Sequence, residues 1–231
     1  MRKIALIALL SLPLTLPLAA NFFPATVHTS IKSANGASIQ LAKAFPVTGM
    51  SGVVIHNYGN DLTAVTSRIV QTSAQGETTL VSADIIHHDE LPTIKTTVKS
   101  GDKVIGGYLY ENVLVLAPDA STYANATKAY TKKWIHPDLF ALYLSVQGED
   151  GVTKENLENF AKKYQIGLVY IIRKDGAVLF DPISGQVIAK QGVSNLPAKG
   201  QFPFYMRFEQ LESGWFGGAA TGNYYNEVGA L

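Results

Sequence analysis

Apolar and polar positions alternate with a period of two through much of the first half of the chain. Ala25, Val27, Thr29 and Ile31 fall on one side of a strand, and Thr26, His28, Ser30 and Lys32 on the other. Such alternation predicts a strand with one buried face. Asn35-Gly36 is a two-residue hairpin signal, and Ile39 and Leu41 then resume the pattern. Residues 49–58 (GMSGVVIHNY) read as a buried strand whose glycines permit a bend, closed by the turn Gly59-Asn60-Asp61. Residues 62–72 and 78–86 are further β-rich runs, separated by Ala74-Gln75-Gly76. Residues 94–98 lead into the stretch 98–118, VKSGDKVIGGYLYENVLVLAP, where a Gly101-Asp102 turn sits among Val, Ile, Leu and Tyr. That composition predicts a closing hairpin. Near-regular short strands of this kind predict a small β-barrel-like module over residues 21–118.

After Pro118 the period becomes helical. Asp119 or Ser121 can cap a helix in which Tyr123, Thr127, Tyr130 and Trp134 share one face. Pro137 suits the first turn of a second helix, with Leu139, Leu142, Tyr143 and Val146 as its apolar face and Gly148 as its end. Thr153 caps a third, whose apolar face is Leu157, Phe160, Ala161 and Tyr164. Residues 167–173 (GLVYIIR) form a continuous apolar run, the mark of a central strand. Turns at Lys174-Asp175-Gly176 and over residues 181–185 deliver two more strands. The fold class is therefore α+β: an N-terminal barrel-like module, then a helix-rich α+β unit over residues 119–190 with a short three-stranded sheet, then a Gly/Pro- and aromatic-rich segment over residues 191–231.

Composition adds the compartment. Met1-Arg2-Lys3 precedes an apolar run of about 15 residues and then Ala19-Ala20, the layout of a signal peptide over residues 1–20. The run is interrupted by Pro13 and Pro17 and falls short of the roughly 20 residues that span a bilayer, so no integral span is expected after cleavage. The chain contains no cysteine, which removes disulfides and thiolate chemistry and favours a bacterial periplasm or cell surface over an animal secretory origin. Of 19 basic residues the leader takes Arg2 and Lys3, leaving 17 against 18 acidic ones. A net charge near −1 gives no basic footprint for nucleic acid.

Candidate chemistry is sparse. His87-His88-Asp89-Glu90 invites a metal, but adjacent strand residues point to opposite faces and metal sites draw ligands from separated positions. His28, His56 and His136 have no pairing visible in sequence, and His136-Pro137-Asp138 reads as a helix start. The glycines at Gly101, Gly106 and Gly107 lack the phosphate-loop and dinucleotide patterns, and no nucleophile elbow occurs. The expectation is a non-enzymatic protein with no cofactor, no metal and no catalytic residue. Eight of the 23 aromatic residues fall in the last 31 positions: Phe202, Phe204, Tyr205, Phe208, Trp215, Phe216, Tyr224 and Tyr225. Disordered tails are poor in aromatics, so these residues pack on their own domain or dock a partner.

Leu91-Pro92-Thr93, residues 98–102 and 113–118, the helix over 139–146, the strand over 167–172 and the ending Asn223-Tyr224-Tyr225 carry a family likeness. Over residues 49–225 the chain resembles the N-terminal domain of the plasminogen-binding protein family, secreted or surface proteins of Helicobacter- and Campylobacter-type bacteria. The resemblance implies a protein partner, host plasminogen, whose kringle modules take lysine, with Lys190 and Lys199 as internal candidates. A fainter likeness to periplasmic flagellar and envelope assembly modules implies the alternative of a periplasmic scaffold.

Overall fold

The computed structural model describes residues 22–82, 85, 96–149, 151–208 and 222–231. The leader expected over residues 1–20, the His87-His88-Asp89-Glu90 cluster, Trp215 and Phe216 lie outside the described residues.

The alternating half closes on itself. Strands β1 (Val27–Asn35), β2 (Ser38–Leu41), β3 (Ser51–Gly59), β4 (Leu62–Gln71), β5 (Glu77–Ser82) and β6 (Lys103–Gly106) form a closed barrel in the order β1-β2-β5-β4-β3-β6. Each neighbouring pair is antiparallel, and β6 returns to β1 through Val27↔Gly106 and Ser30↔Lys103. The β1–β2 turn carries Gly36 at φ +59, and the β3–β4 turn carries Asn60 at φ +48 and Asp61 at φ +62. Both residues of the second turn are left-handed, the twist that a tight two-residue hairpin requires. Ile31, Ile39, Leu41, Val54, Ile69 and Val104 are buried together. Each stabilises the fold by about 1.5–3 kcal/mol relative to exposure.

The stretch 98–118 does not form the expected hairpin. The turn at Gly101-Asp102 is real, with Gly101 at φ +91 and the Asp102 N–H donating to Lys99 O at 3.2 Å. But β6 pairs only with barrel strands, whereas β7 (Asn112–Leu116) enters a second sheet of order β11-β10-β9-β7-β8. In it stand β8 (Lys133–Ile135), β9 (Leu168–Arg173), β10 (Gly176–Asp181) and β11 (Gln186–Gln191). The sheet thus has five strands where three were expected. β7 is parallel to both β8 and β9, whereas β9, β10 and β11 are antiparallel to one another. Parallel neighbours cannot be joined by a tight turn and need crossovers. Those crossovers are α1 (Ala120–Ala129) between β7 and β8, and α2 (Pro137–Gln147) with α3 (Lys154–Tyr164) between β8 and β9.

The capping residues act as read from the sequence. Asp119 accepts from Thr122 N–H at 2.7 Å, Thr153 accepts from Asn156 N–H at 3.1 Å, and Gly148 ends α2 at φ +71. Two details differ. Trp134 lies in β8, because α1 stops at Ala129 and Tyr130 is already extended. The buried face of α2 is Phe140, Ala141, Tyr143 and Leu144, leaving Leu142 45% and Val146 69% exposed. This helix is apolar nearly all round, so periodicity could not choose its face. The choice falls to the ring contacts of Phe140 with Phe160 at 5.0 Å and with Phe204 at 5.6 Å.

The second sheet is buried on both sides. Val113, Val115, Leu168, Tyr170, Ile172 and Leu179 join the barrel residues in one core. Leu114, Leu116, Val169, Ile171, Val178 and Phe180 point the other way, into a core shared with α2, α3 and α4 (Tyr224–Val228). The connector over residues 107–111 joins the layers, and its Tyr110 is buried with its hydroxyl donating to Asp181 Oδ2 at 2.6 Å. The same carboxylate accepts Ser51 N–H from β3 at 2.8 Å, so one side chain ties barrel, connector and sheet.

Candidate partner-binding face

The expected partner-binding aromatics separate into two groups. Phe204 and Tyr224 are fully buried and Tyr225 nearly so. Phe204 stacks on Phe140, the Tyr224 hydroxyl donates to Leu116 O at 2.7 Å, and the Tyr225 hydroxyl donates to Pro197 O at 2.9 Å. Tyr224 thus holds the last described segment to the end of β7, Tyr225 holds it to Pro197 and Phe204 packs on α2; burial pushes the Tyr224 phenol well above its ordinary value. Phe202 is half-buried, its ring lying where a side chain on Gly222 would have to go. Tyr205 is half-buried at the surface, and Phe208 is 45% exposed.

Tyr205 belongs to a face assembled from three parts of the chain. Tyr123 projects from the first turns of α1, and His136 caps α2 by accepting Asp138 N–H at 3.1 Å. The segment carrying residues 204–208 is pinned by Tyr205 N–H to Ala117 O at 2.8 Å and by Arg207 N–H to Asp138 Oδ1 at 2.9 Å. The Tyr123 ring centroid lies 4.8 Å from that of His136 and 5.6 Å from that of Tyr205, and His136 lies 5.8 Å from Tyr205. Beside this trio Arg207 Nε donates to Asp138 Oδ2 at 2.7 Å, while the Arg207 side chain stays 65% exposed.

The electrostatics keep the face neutral apart from that ion pair. Burial lowers the His136 imidazole below its usual value, outweighing the opposing pull of the Asp138 carboxylate; the Arg207 cation pushes the same way as burial. Burial raises the Tyr123 phenol. Hydrogen bonding to Asp138, then its charge, raise the Arg207 guanidinium. The result is a shallow aromatic surface edged by a positioned arginine. Tyrosine and arginine are the residue types that dominate binding energy at protein interfaces. Sequence reasoning found Tyr205 by composition but missed Tyr123, His136 and Arg207 as its neighbours, since they meet it only through the β7–α1–β8 crossover.

The other flagged residues lie elsewhere. His28 is exposed on β1. His56 Nδ1 sits 2.7 Å from Asp102 Oδ1, and Asp102 Oδ2 accepts Lys99 N–H at 2.8 Å. The register Ile55↔Lys103 sets His56 opposite Asp102, a pairing invisible until β3 and β6 are known to be neighbours. Lys190, on the outer strand β11, and Lys199 are solvent-exposed. Among the described residues no group of three or more His, Asp or Glu side chains converges to hold a metal ion.

A family model, described as Plasminogen-binding protein pgbA N-terminal, matches residues 26–228. The chain belongs to this family. The match takes in the barrel, the five-stranded sheet, the four described helices and the aromatic face, so the plasminogen-binding protein N-terminal fold is this whole assembly. No curated protein and no solved structure matches the chain.

Proposed function

We propose that this chain is an exported, non-enzymatic binding protein whose partner is plasminogen, held through the Tyr123–His136–Tyr205–Arg207 face. The family match across residues 26–228 carries the reading. The leader-like start, with its basic residues, apolar run and closing alanines, supports export to a periplasm or cell surface. The face supplies what a protein interface needs: aromatic area at low entropy cost, a positioned cation and a polar rim. Exposed Lys190 and Lys199 supply side chains that lysine-reading modules of the partner can take.

The test is binding of the purified protein to immobilised plasminogen, with and without a free lysine analogue. Saturable binding, reduced by the analogue and weakened about tenfold or more by Tyr205→Ala with Arg207→Ala, is the expected result. Absence of binding, or binding that neither treatment alters, overturns it.

A further inference from the structure

A cleft lies between the outside of the barrel and the end of α3, next to the 107–111 connector. Its volume is about 480 Å3, within the range of roughly 300–1,000 Å3 in which small-molecule sites fall. The walls are mainly apolar, with Val53 and Val65 from the barrel, Leu109 from the connector, Ile166 after α3 and Ile183 after β10. Arg68 of β4 also lines it. Its guanidinium is partly buried and makes no hydrogen bond or ion pair with the described residues, and burial lowers its pKa. The opposing charge felt by it, Glu158, is bound to Lys162 Nζ at 2.6 Å and only partly offsets that burial. Lys162, Gln165, Ser51 and Tyr108 add the polar part of the lining. Among the described lining residues Arg68 and Lys162 are the cations and none is a carboxylate; Lys162 is paired with Glu158, which leaves Arg68 as the cation without a described partner.

A partly buried cation without a partner costs free energy unless something supplies the missing charge. A guanidinium is a planar fork of donors matched to a carboxylate, and the surrounding walls are hydrocarbon. We propose that this cleft binds an apolar monocarboxylate, with the acid on Arg68 and the hydrocarbon against Val53, Val65, Leu109 and Ile166. The site is separate from the aromatic face, so it stands or falls independently of the plasminogen reading. Two sources present this chemistry: a medium-chain acyl anion, and the free C-terminus of an apolar peptide.

Titration calorimetry of the purified protein with octanoate, octanol, and an Ala-Leu-Leu peptide as free acid and as amide tests the proposal. One saturable site for an acid is expected, with its uncharged counterpart at least about tenfold weaker. Octanoate alone binding identifies an acyl anion; the peptide acid alone identifies a chain terminus; both support the site. Arg68→Met, which removes a charge that has no partner among the described residues and keeps the stem, is expected to weaken the acid about 10- to 100-fold without lowering the urea midpoint. Val65→Trp, which fills the cleft while retaining Arg68, is expected to abolish binding. If neither acid binds, if octanol matches octanoate and the amide matches the peptide acid, or if either substitution leaves acid affinity unchanged, the proposal is wrong.

Discussion

Asp181 accepts four hydrogen bonds while fully buried: Ser51 N–H and the Tyr110 hydroxyl on Oδ2, Ile183 N–H and Ser184 N–H on Oδ1. Both oxygens face only donors, so Asp181→Asn would turn an amide NH2 toward two N–H or O–H groups. A loss of about 2–4 kcal/mol is expected at neutral pH, read as a lower urea midpoint, with Tyr110→Phe costing less because it removes one donor. Burial raises the Asp181 carboxyl above its ordinary value, against the hydrogen bonds from Tyr110, Ser51 and Ser184. The folded chain therefore binds this proton more readily than the unfolded chain. Its contribution is largest at acid pH and falls as pH rises from about 3.9, the unfolded value, through the folded one. The gap between native protein and Asp181→Asn should accordingly widen on acidification toward about pH 4; a gap that is constant or narrows would refute this account. In the sequence Asp181 reads as a turn residue of the Asp-Pro-Ile-Ser-Gly run, and two of its bonds are turn bonds of that kind. The other two come from residues 130 and 71 positions away, which no local pattern announces.

At the scale of elements, turns and caps were legible because they are local chemistry. Asn35-Gly36, Gly59-Asn60-Asp61, Asp119, Thr153 and Gly148 each satisfy their own backbone within a few residues. Strand partners were not legible, since residues 103–106 and 112–116 carry the same β-rich composition while serving different sheets. What divides them is the connector, whose Leu109 is left-handed at φ +64 and whose Tyr110 turns inward. The connector is pressed against the start of β9 at Gly167, where an added Cβ would lie 2.1 Å from Leu109 O and 2.6 Å from Tyr110 N. Backbone on both sides leaves no flexible atom to yield. Gly167→Ala is expected to cost more than about 2 kcal/mol, at the upper end of the overpacking range. Gly36→Ala, with open space around its Cβ but φ +59, should cost only the smaller left-handed penalty of about 1 kcal/mol. Thermal unfolding of the two variants compares them directly, and equal shifts would show that the contact at Gly167 is not what holds the connector.

For the whole molecule, the sequence suggests separable modules, because its periodicity changes abruptly at Pro118. The packing argues for one body. Ile31, Val54 and Val104 of the barrel and Val113, Tyr170 and Leu179 of the sheet belong to a single buried cluster, sealed by Tyr110 and Asp181. Cutting between the layers would strip one face of the sheet of its cover. It would also leave a carboxylate without two of its donors, and such losses are of the same order as the total stability of a domain. Barrel and sheet should therefore unfold together. Hydrogen exchange measured across a urea titration is expected to give one midpoint for amides of β1–β6 and of β7–β11. Asp181→Asn should move both sets by the same amount, because the damage is done to their shared seam. A barrel that keeps its protection after the sheet has lost its own would show two cooperative units, and would assign the Asp181 network to the sheet alone.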